Sequence, residues 1–260
     1  MKPLKTIDVT YAGRTVALPD ESRYAKFYSK LSVGTWEPGT FEVLGRNLDK
    51  ETIYVDMGSW IGVTPLWAAH IAKSVVAVEP DPICIEILNH QSASYPNLVV
   101  VHGALASSEN VELNSVNGFG NSASSVLGIG TGESVVVKGH RIDEIMKSVG
   151  QAPVFVKIDI EGYEYDLSKE IEKLRKYNLR GLQLAVQPQL FEKSLRGNCF
   201  ARRWQAVAGT RKIACLFREF LPEPKVIGYR SLLSYLVFGI LFTFKPKGTD
   251  LVFEREVLPQ

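Results

Sequence analysis

Cysteine and histidine are scarce in this sequence of 260 residues, which has three cysteines and four histidines. The cysteines lie far apart with no C-x-x-C pair, so the pattern argues against a disulfide scaffold and against a cysteine-ligated zinc site. The histidines form no H-E-x-x-H motif. No metal site is therefore predicted.

An excess of charge of one sign is also lacking. The 30 Lys and Arg residues nearly balance the 28 Asp and Glu residues, which gives a net charge of +2. Nucleic-acid-binding domains usually carry a clustered basic excess, so no nucleic-acid partner is expected. The 45% of hydrophobic residues is typical of a globular domain and excludes charge-driven disorder.

Long apolar segments are few. Residues 1–20 are polar and lack the apolar core of a signal peptide, so a cytoplasmic location is expected. The apolar run Leu232–Phe244 is shorter than the ~20 residues that span a bilayer. We interpret this run as buried core, with a peripheral contact to a membrane or a lipid-linked substrate as the alternative.

From Thr52 onward, short apolar runs alternate with amphipathic segments. This alternation is typical of βαβ units and predicts a mostly parallel sheet. Helices are predicted over Ile61–Ala72, from Pro82 with Asp81 as N-cap, and over Glu164–Tyr177. The predicted strands are Ile53–Met57, Val75–Val78, Leu98–His102, Val135–Lys138, Val154–Ile160 and Leu182–Val186. A final strand, Asp250–Glu254, is predicted to pair antiparallel with Phe242–Phe244.

A glycine-containing loop follows the first predicted strand, in Thr52–Gly62 (TIYVDMGSWIG). Gly58 and Gly62 allow the backbone to turn sharply and to approach a ligand at a helix N-terminus. Glu79 ends the next strand at the spacing where an acid hydrogen-bonds ribose hydroxyls. Because Trp60 interrupts the dinucleotide motif and no triphosphate-binding motif is present, the pattern favours S-adenosylmethionine as the ligand. The alternative is an ordinary tight turn whose glycines serve packing.

A second polar signal lies in Phe155–Glu164 (FVKIDIEGYE), where three charged residues alternate with Val and Ile. Charges at the end of a buried strand are costly unless they are paired or functional, and ligands bind at this end of parallel strands. We predict that Asp159, together with Glu161, accepts a proton from the substrate, and that Lys157 holds the carboxylates by ion pairing. The alternative is a purely structural network.

Three segments, VDMGSWIG, VAVEPDP and FVKIDIEGYE, resemble in this order the FkbM family of S-adenosylmethionine-dependent methyltransferases. The resemblance spans roughly residues 35–188. It implies a Rossmann-like α/β fold, with a mostly parallel sheet and an antiparallel last strand. It also implies S-adenosylmethionine as cofactor and O-methylation of sugar or natural-product hydroxyls.

The resemblance also assigns site residues. It implies that Glu79 binds the ribose and that Ala104 lies on the adenine side. The chain departs from the family at Ser59-Trp60, which replaces the usual Ala-Asn, and at Gln187, where members often have histidine. The cofactor loop falls on Asp56, Gly58, Ser59 and Gly62, and the charged strand end on Lys157, Asp159, Glu161 and Glu164.

The function expected is methylation of a hydroxyl on a small molecule, most specifically on a glycan or glycosylated metabolite. Two alternatives stay open: a methyltransferase of another acceptor class (lipid, peptide or small-molecule nitrogen), and a non-catalytic nucleotide-binding module. The Gly/Ser/Asn-rich segment Asn114–Ser134 is expected to be a mobile loop that closes over the acceptor.

The chain is expected to divide into three parts with different roles. Residues 1–50 form a lead-in that packs on the core, residues 51–190 form the cofactor-binding core, and residues 191–260 complete the sheet and the acceptor side. No oligomeric state is predicted.

Overall fold

A six-stranded sheet forms the centre of the computed structural model, which describes residues 4–115, 118–122, 124–128, 132–218, 220 and 249–255. Short 3₁₀ turns lie at Ser22–Tyr24, Met146–Ser148, Tyr163–Tyr165 and Lys173–Lys176. In chain order the other elements are β1 (Thr6–Tyr11), β2 (Arg14–Pro19), α1 (Ala25–Ser32), α2 (Pro38–Asn47), β3 (Ile53–Met57), α3 (Val63–Ala69), β4 (Ser74–Glu79), α4 (Pro82–Ser92), β5 (Leu98–His102), β6 (Ala104–Leu105), β7 (Asn110–Asn114), β8 (Ser134–His140), α5 (Ile142–Ile145), β9 (Val154–Ile158), α6 (Ser168–Glu172), β10 (Leu179–Val186), α7 (Pro188–Ser194), α8 (Cys199–Arg218) and β11 (Thr249–Glu254).

The order of the strands in the central sheet is β11-β10-β9-β3-β4-β5. Neighbouring strands run parallel except β11, which pairs antiparallel with β10. The predicted Rossmann-like α/β fold with an antiparallel last strand is confirmed. The chain leaves β3 towards β4 and β5, and later leaves β9 towards β10. Ligands bind at such a reversal of strand order, beyond the carboxyl ends of the strands, which here is between β3 and β9.

The sheet is buried on both faces, as its apolar strands require. Tyr54 and Phe155 belong to the hydrophobic cluster on one face, while Val55 and Val156 belong to the cluster on the other. Strands that are covered on both sides have continuous apolar runs, which is the pattern that the sequence shows. The helix N-cap predicted at Asp81 is also present, since its carboxylate accepts hydrogen bonds from the backbone N–H groups of Ile83 and Cys84 in the first turn of α4.

Two predicted elements differ in the structure. Val135–Lys138 lies in β8, but β8 belongs to a separate three-stranded sheet with β6 and β7. One side of β8 is exposed, and such half-exposed strands are typical of antiparallel ribbons rather than of a sheet centre. The helix predicted over Glu164–Tyr177 is divided into α6 and flanking 3₁₀ turns. Its buried stripe of Leu167, Ile171 and Leu174 is compatible with either geometry, because both bring residues three or four apart to one side.

The N-terminal hairpin of β1 and β2 packs beside α3 and α4. The Tyr11 hydroxyl donates a hydrogen bond of 2.7 Å to the Val63 carbonyl, and the Gln91 side chain donates one of 2.8 Å to the Ala17 carbonyl. This packing brings α1 and the turn before α2 to the edge of the crevice between β3 and β9.

The predictions for the apolar run near the C-terminal end cannot be compared with the structure. Leu232–Phe244, and with it the predicted hairpin partner Phe242–Phe244, lies outside the residues that the structure describes. Within the described ranges, no helix has the length and apolar character needed to cross a membrane.

Candidate functional site

A cavity of about 550 Å³ opens at the carboxyl ends of β3, β4 and β9. Its volume is in the range of small-molecule binding sites. Asp56 and Gly62 are not among the residues that line it. The cavity brings together seven of the site residues predicted from the sequence, namely Gly58, Ser59, Glu79, Ala104, Lys157, Asp159 and Glu161.

Gly58 is required by the close approach of two strand ends. Its φ is 89°, and a Cβ atom there would overlap the carbonyl oxygen of Asp159. The Asp159 N–H donates to the Met57 carbonyl at 2.9 Å, which holds the two strand ends together. The glycine is thus needed for packing between β3 and β9, and this packing shapes the floor of the cavity.

Gly62 also serves packing. Its φ is 91°, and a Cβ atom would lie 2.9 Å from Leu66 Cδ1 and 3.0 Å from Leu88 Cδ2. The structure therefore gives Gly62 a role in joining α3 to α4. Direct cofactor contact by this residue stays a prediction.

Asp56 does not line the cavity but contacts Lys157, which does. These two residues are register partners on β3 and β9. The Asp56 carboxylate accepts a hydrogen bond from the Thr64 hydroxyl, and its Oδ1 lies 3.8 Å from Lys157 Nζ. Burial raises the pKa of Asp56, and the positive charge of Lys157 opposes this shift. Asp56 is thus suited to fix the lysine rather than to contact a ligand.

Asp159 is held from two sides. Lys157 Nζ donates to its Oδ2 at 3.2 Å, and Gln187 Nε2 donates to its Oδ1 at 3.0 Å. Burial would lower the pKa of Lys157, but the carboxylates of Asp159 and Asp56 raise it well above its usual value, so the lysine stays charged. The Asp159 side chain is 22% exposed. Its carboxylate is therefore oriented by two donors and still open to the cavity.

Glu79 joins the loop after β3 to the loop after β4. One carboxylate oxygen accepts from the Trp60 N–H and the other from the Asp81 N–H, each at 2.8 Å. Burial raises the pKa of Glu79 to about 8, although the two backbone hydrogen bonds oppose this shift. Each carboxylate oxygen can accept a second hydrogen bond, so Glu79 can still bind ligand hydroxyls.

The sequence did not indicate Glu37, which also lines the cavity. Its Oε2 accepts a hydrogen bond of 3.3 Å from the Thr40 hydroxyl, which in turn accepts one of 2.8 Å from Gln183 Nε2. Burial raises the pKa of Glu37 to about 7, and the negative charge of Asp159 adds to the shift. Glu37 lies in the lead-in outside any motif, and its one local signal is Pro38, which opens α2.

Backbone strain is concentrated around this cavity. Among the described residues, four that are not glycine have a positive φ, and three of them line the cavity: Glu37 at 39°, Trp60 at 48° and Glu161 at 53°. Each such conformation costs about 1–3 kcal/mol and is found mostly at functional sites. Burial and the nearby Asp159 raise the pKa of Glu161 to about 8.

The described part of Asn114–Ser134 forms a polar wall of the cavity. The Gly120 N–H and the Ser124 hydroxyl both donate to Asp81 Oδ2 at 2.8 Å. The Ser125 hydroxyl donates to the Glu161 carbonyl at 3.1 Å. Residues 116–117, 123 and 129–131 of this segment are not among the residues that the structure describes. The predicted mobility of the loop stays a prediction.

A metal centre is not visible in the described ranges, where no three His, Cys, Asp or Glu side chains are grouped so that they could hold an ion.

The family model of the methyltransferase FkbM domain matches residues 56–194, more than half of the chain. The chain belongs to the FkbM methyltransferase family. No curated protein matches this FkbM-family chain.

Among solved structures, the FkbM-family chain is similar to SMU.1697c of Streptococcus mutans, a proposed methyltransferase in complex with S-adenosylhomocysteine. The two share 11% identity over 84% of this chain and 96% of that one, with a TM-score of 0.48. It is also similar to methyltransferase FkbM from Methylobacillus flagellatus KT, at 18% identity and a TM-score of 0.37 over 65% of this chain and 45% of that one. An rRNA methylase from Streptococcus thermophilus matches at 13% identity and a TM-score of 0.35, over 57% of this chain and 69% of that one.

The protein is thus an S-adenosylmethionine-dependent methyltransferase, and the residues of the cavity fit that cofactor. Glu79 has carboxyl oxygens of the kind that bind ribose hydroxyls, and Ala104 lines the same cavity. The assignment of Glu79 to the ribose and of Ala104 to the adenine side stays a prediction. The side chains of Asp159 and Glu161 line the same space, where the Asp159 carboxylate complements a cationic sulfonium.

Replacing Glu79 by alanine is expected to weaken binding of S-adenosylhomocysteine by roughly 10- to 100-fold. The physical reason is the loss of the hydrogen bonds between the ribose hydroxyls and the Glu79 carboxyl group, each worth about 0.5–1.5 kcal/mol. Calorimetry measures the affinity, with Glu86→Ala on the exposed side of α4 as the control. A folded Glu79→Ala protein of unchanged affinity would contradict the assignment of Glu79 to the ribose.

The buried carboxyl groups predict a pH dependence of stability. Burial raises the pKa of both Glu79 and Glu164 to about 8, whereas glutamates of the unfolded chain ionise near pH ~4.3. Between these values the folded protein keeps protons that the unfolded chain has released. The free energy of unfolding should therefore fall as the pH rises, by about 1.4 kcal/mol per pH unit for each such carboxyl.

Urea unfolding at a series of pH values between about 5 and 8 measures this slope. Glu79→Gln resembles the protonated side chain, so it should reduce the slope by about the contribution of one carboxyl. Glu86→Gln, on the exposed side of α4, is the control for removing one carboxyl elsewhere. A Glu79→Gln protein with the wild-type slope would show that Glu79 is ionised throughout this range.

Proposed function

We propose that this methyltransferase transfers the methyl group of S-adenosylmethionine to a hydroxyl of a glycan or glycosylated metabolite. The observation that carries the proposal is the Asp159 carboxylate, which is oriented by Lys157 and Gln187 and open to the cavity. A hydroxyl loses its proton as it is methylated, so a carboxylate in this position has a chemical role to fill.

The residues of the chain support the transfer by orientation and by proton acceptance. When bound, the cofactor would supply an electrophilic methyl group, whose bond to sulfur breaks as its bond to the acceptor oxygen forms, leaving S-adenosylhomocysteine. Asp159 hydrogen-bonds the acceptor hydroxyl and takes its proton, while the hydrogen bond from Lys157 holds the side chain in place. Glu161 and Glu37 lie in the same space, and burial raises the pKa of each. Holding both reactants side by side in one cavity supplies the rest of the rate enhancement.

Aromatic side chains on another wall of the cavity support a sugar acceptor. The ring of Phe27 packs edge to face against Trp60 at 4.7 Å and against Trp36 at 5.1 Å between centroids. Tyr24 packs in the same way against Trp60 at 5.7 Å. Ligand sites combine such apolar surfaces with a few placed polar groups. A sugar ring matches both, because its C–H face packs on aromatic rings while its hydroxyls reach the carboxylates.

We propose that the three parts of the chain have the roles predicted from the sequence. Residues 1–50 pack on the core, residues 51–190 bind the cofactor, and residues 191–260 complete the sheet and the acceptor side. The lead-in also contributes Tyr24, Phe27, Trp36 and Glu37 to the cavity. The cytoplasmic location and the absence of a nucleic-acid partner stay predictions.

A methylation screen tests the proposed acceptor. Purified protein and S-adenosylmethionine with a labelled methyl group are incubated with glycan, lipid, peptide, amine and RNA fractions of the source organism. Alkali-stable label on a sugar hydroxyl is the expected result. Label on nitrogen, lipid or RNA would contradict the acceptor class. Binding of S-adenosylhomocysteine without transfer to any fraction would favour a non-catalytic module.

A further inference from the structure

A row of basic side chains edges the cavity along helix α1 and the 3₁₀ turn Ser22–Tyr24 that leads into it. Arg23, Lys26, Phe27 and Lys30 all line the cavity, and they are spaced as i, i+3, i+4 and i+7. This spacing brings them to one side of a helix. The buried side of α1, with Tyr28 and Leu31, packs into the core instead.

Two of these cations are available for a ligand. Arg23 forms an ion pair of 2.7 Å with Glu21 and donates a hydrogen bond of 3.2 Å to the Phe119 carbonyl. The side chains of Lys26 and Lys30 are exposed, and within the described part of the chain neither forms an ion pair or hydrogen bond. They lie about one helical turn apart, so one oxyanion can contact both ammonium groups.

The acidic groups and the exposed lysines of the cavity lie in different places. The side chains of Asp159, Glu161 and Glu79 lie at the strand ends, where Lys157 is paired with Asp159, whereas Lys26 and Lys30 are exposed on α1. A ligand that fits this pattern has neutral hydroxyls at one end and a negative charge at the other. Complementary charge of this kind orients a ligand and selects among ligands.

We propose that Lys26 and Lys30 bind a phosphate or carboxylate group of the acceptor, so that the acceptor is a phosphorylated or acidic sugar. The inference rests on the proposed methylation of a sugar hydroxyl and names its substrate class. In this arrangement the sugar ring packs near Phe27, which lies between the two lysines on α1, and its hydroxyls point towards the carboxylates.

Binding of small sugars tests the proposal without any methyl transfer. Glucose 1-phosphate, glucuronate and glucose are titrated into the protein saturated with S-adenosylhomocysteine, and tryptophan fluorescence and calorimetry follow binding. At least one of the two charged sugars should bind roughly tenfold or more tightly than glucose, because charge-assisted hydrogen bonds are the stronger ones. The Lys26→Gln/Lys30→Gln double variant should lose this preference. The control, Lys73→Gln/Lys147→Gln, removes two exposed lysines elsewhere and should keep it.

Three results would overturn the proposal. The first is a lack of preference for the charged sugars in the wild-type protein, or a preference that the double variant keeps. The second is an affinity for S-adenosylhomocysteine that falls in the double variant, since the lysines would then bind the carboxylate of the cofactor. The third is binding of a short single-stranded RNA through the lysines without binding of either charged sugar. The proposed function is judged separately, because the methylation screen reports transfer whether or not these lysines matter.

Discussion

Replacing Asp159 by asparagine is expected to lower turnover by roughly 10²–10⁴-fold, the usual contribution of a general base, while the affinity for S-adenosylhomocysteine stays within about twofold. Asparagine keeps the shape of the side chain and loses the basic oxygen. Its amide oxygen still accepts from Lys157, and a rotated Gln187 amide presents its own oxygen to the new NH₂ group. The two contacts that orient residue 159 are thereby preserved.

The measurement is kcat with the acceptor identified by the methylation screen, together with calorimetry and thermal unfolding on the same preparation. Asp143→Asn is the matched control, because Asp143 forms surface ion pairs with Lys173 and Lys176 away from the cavity. A purely structural Asp159 would give a different result: stability and cofactor affinity would fall together while kcat at saturation stayed near the wild-type value. That outcome would end the assignment of Asp159 as proton acceptor.

Replacing Gly58 by alanine is expected to lower the free energy of unfolding by about 2–5 kcal/mol. Two costs add. Gly58 has a φ of 89°, and the new methyl group would overlap the Asp159 carbonyl, which the pairing between β3 and β9 holds in place. Relief requires the two strand ends to separate. Separation would also displace the Asp159 carboxylate, so turnover should fall further than stability alone explains.

Gly13→Ala separates these two costs. Gly13 also has a positive φ, of 75°, but nothing lies within 4 Å of a Cβ atom there. This variant should lose only the conformational cost, about 1 kcal/mol. Urea unfolding of both proteins measures the difference. Equal destabilisation by the two substitutions would show that β3 and β9 adapt to the added methyl group and that their close approach is not needed.

Several features of this protein follow from local sequence alone. The apolar runs of the strands indicate burial on both faces, and Asp81 is recognisable as a helix cap from its neighbours. Short-range physics decides both features, through hydrophobic periodicity and backbone hydrogen bonding. The same logic predicted that Glu79 and Asp159 lie close together, because the ends of parallel strands meet at one edge of a sheet, and both line the cavity.

The structure adds what depends on distant parts of the chain. Glu37 reaches the cavity because the lead-in packs on the core, and no local pattern encodes that packing. The position of β8 in a separate sheet likewise depends on which strands it meets, so its apolar run alone did not reveal it.

The reason for Gly58 was also decided by tertiary structure. The sequence indicated that a glycine was needed after β3, and the ligand was the expected cause. The structure adds a second cause, the Asp159 carbonyl, about a hundred residues further along the chain. Contact of Gly58 with the cofactor stays a prediction. Sequence patterns indicate which segments favour a turn or a strand and where charged residues lie along the chain. Long-range packing determines which of them meet, because contact between distant segments depends on the whole fold.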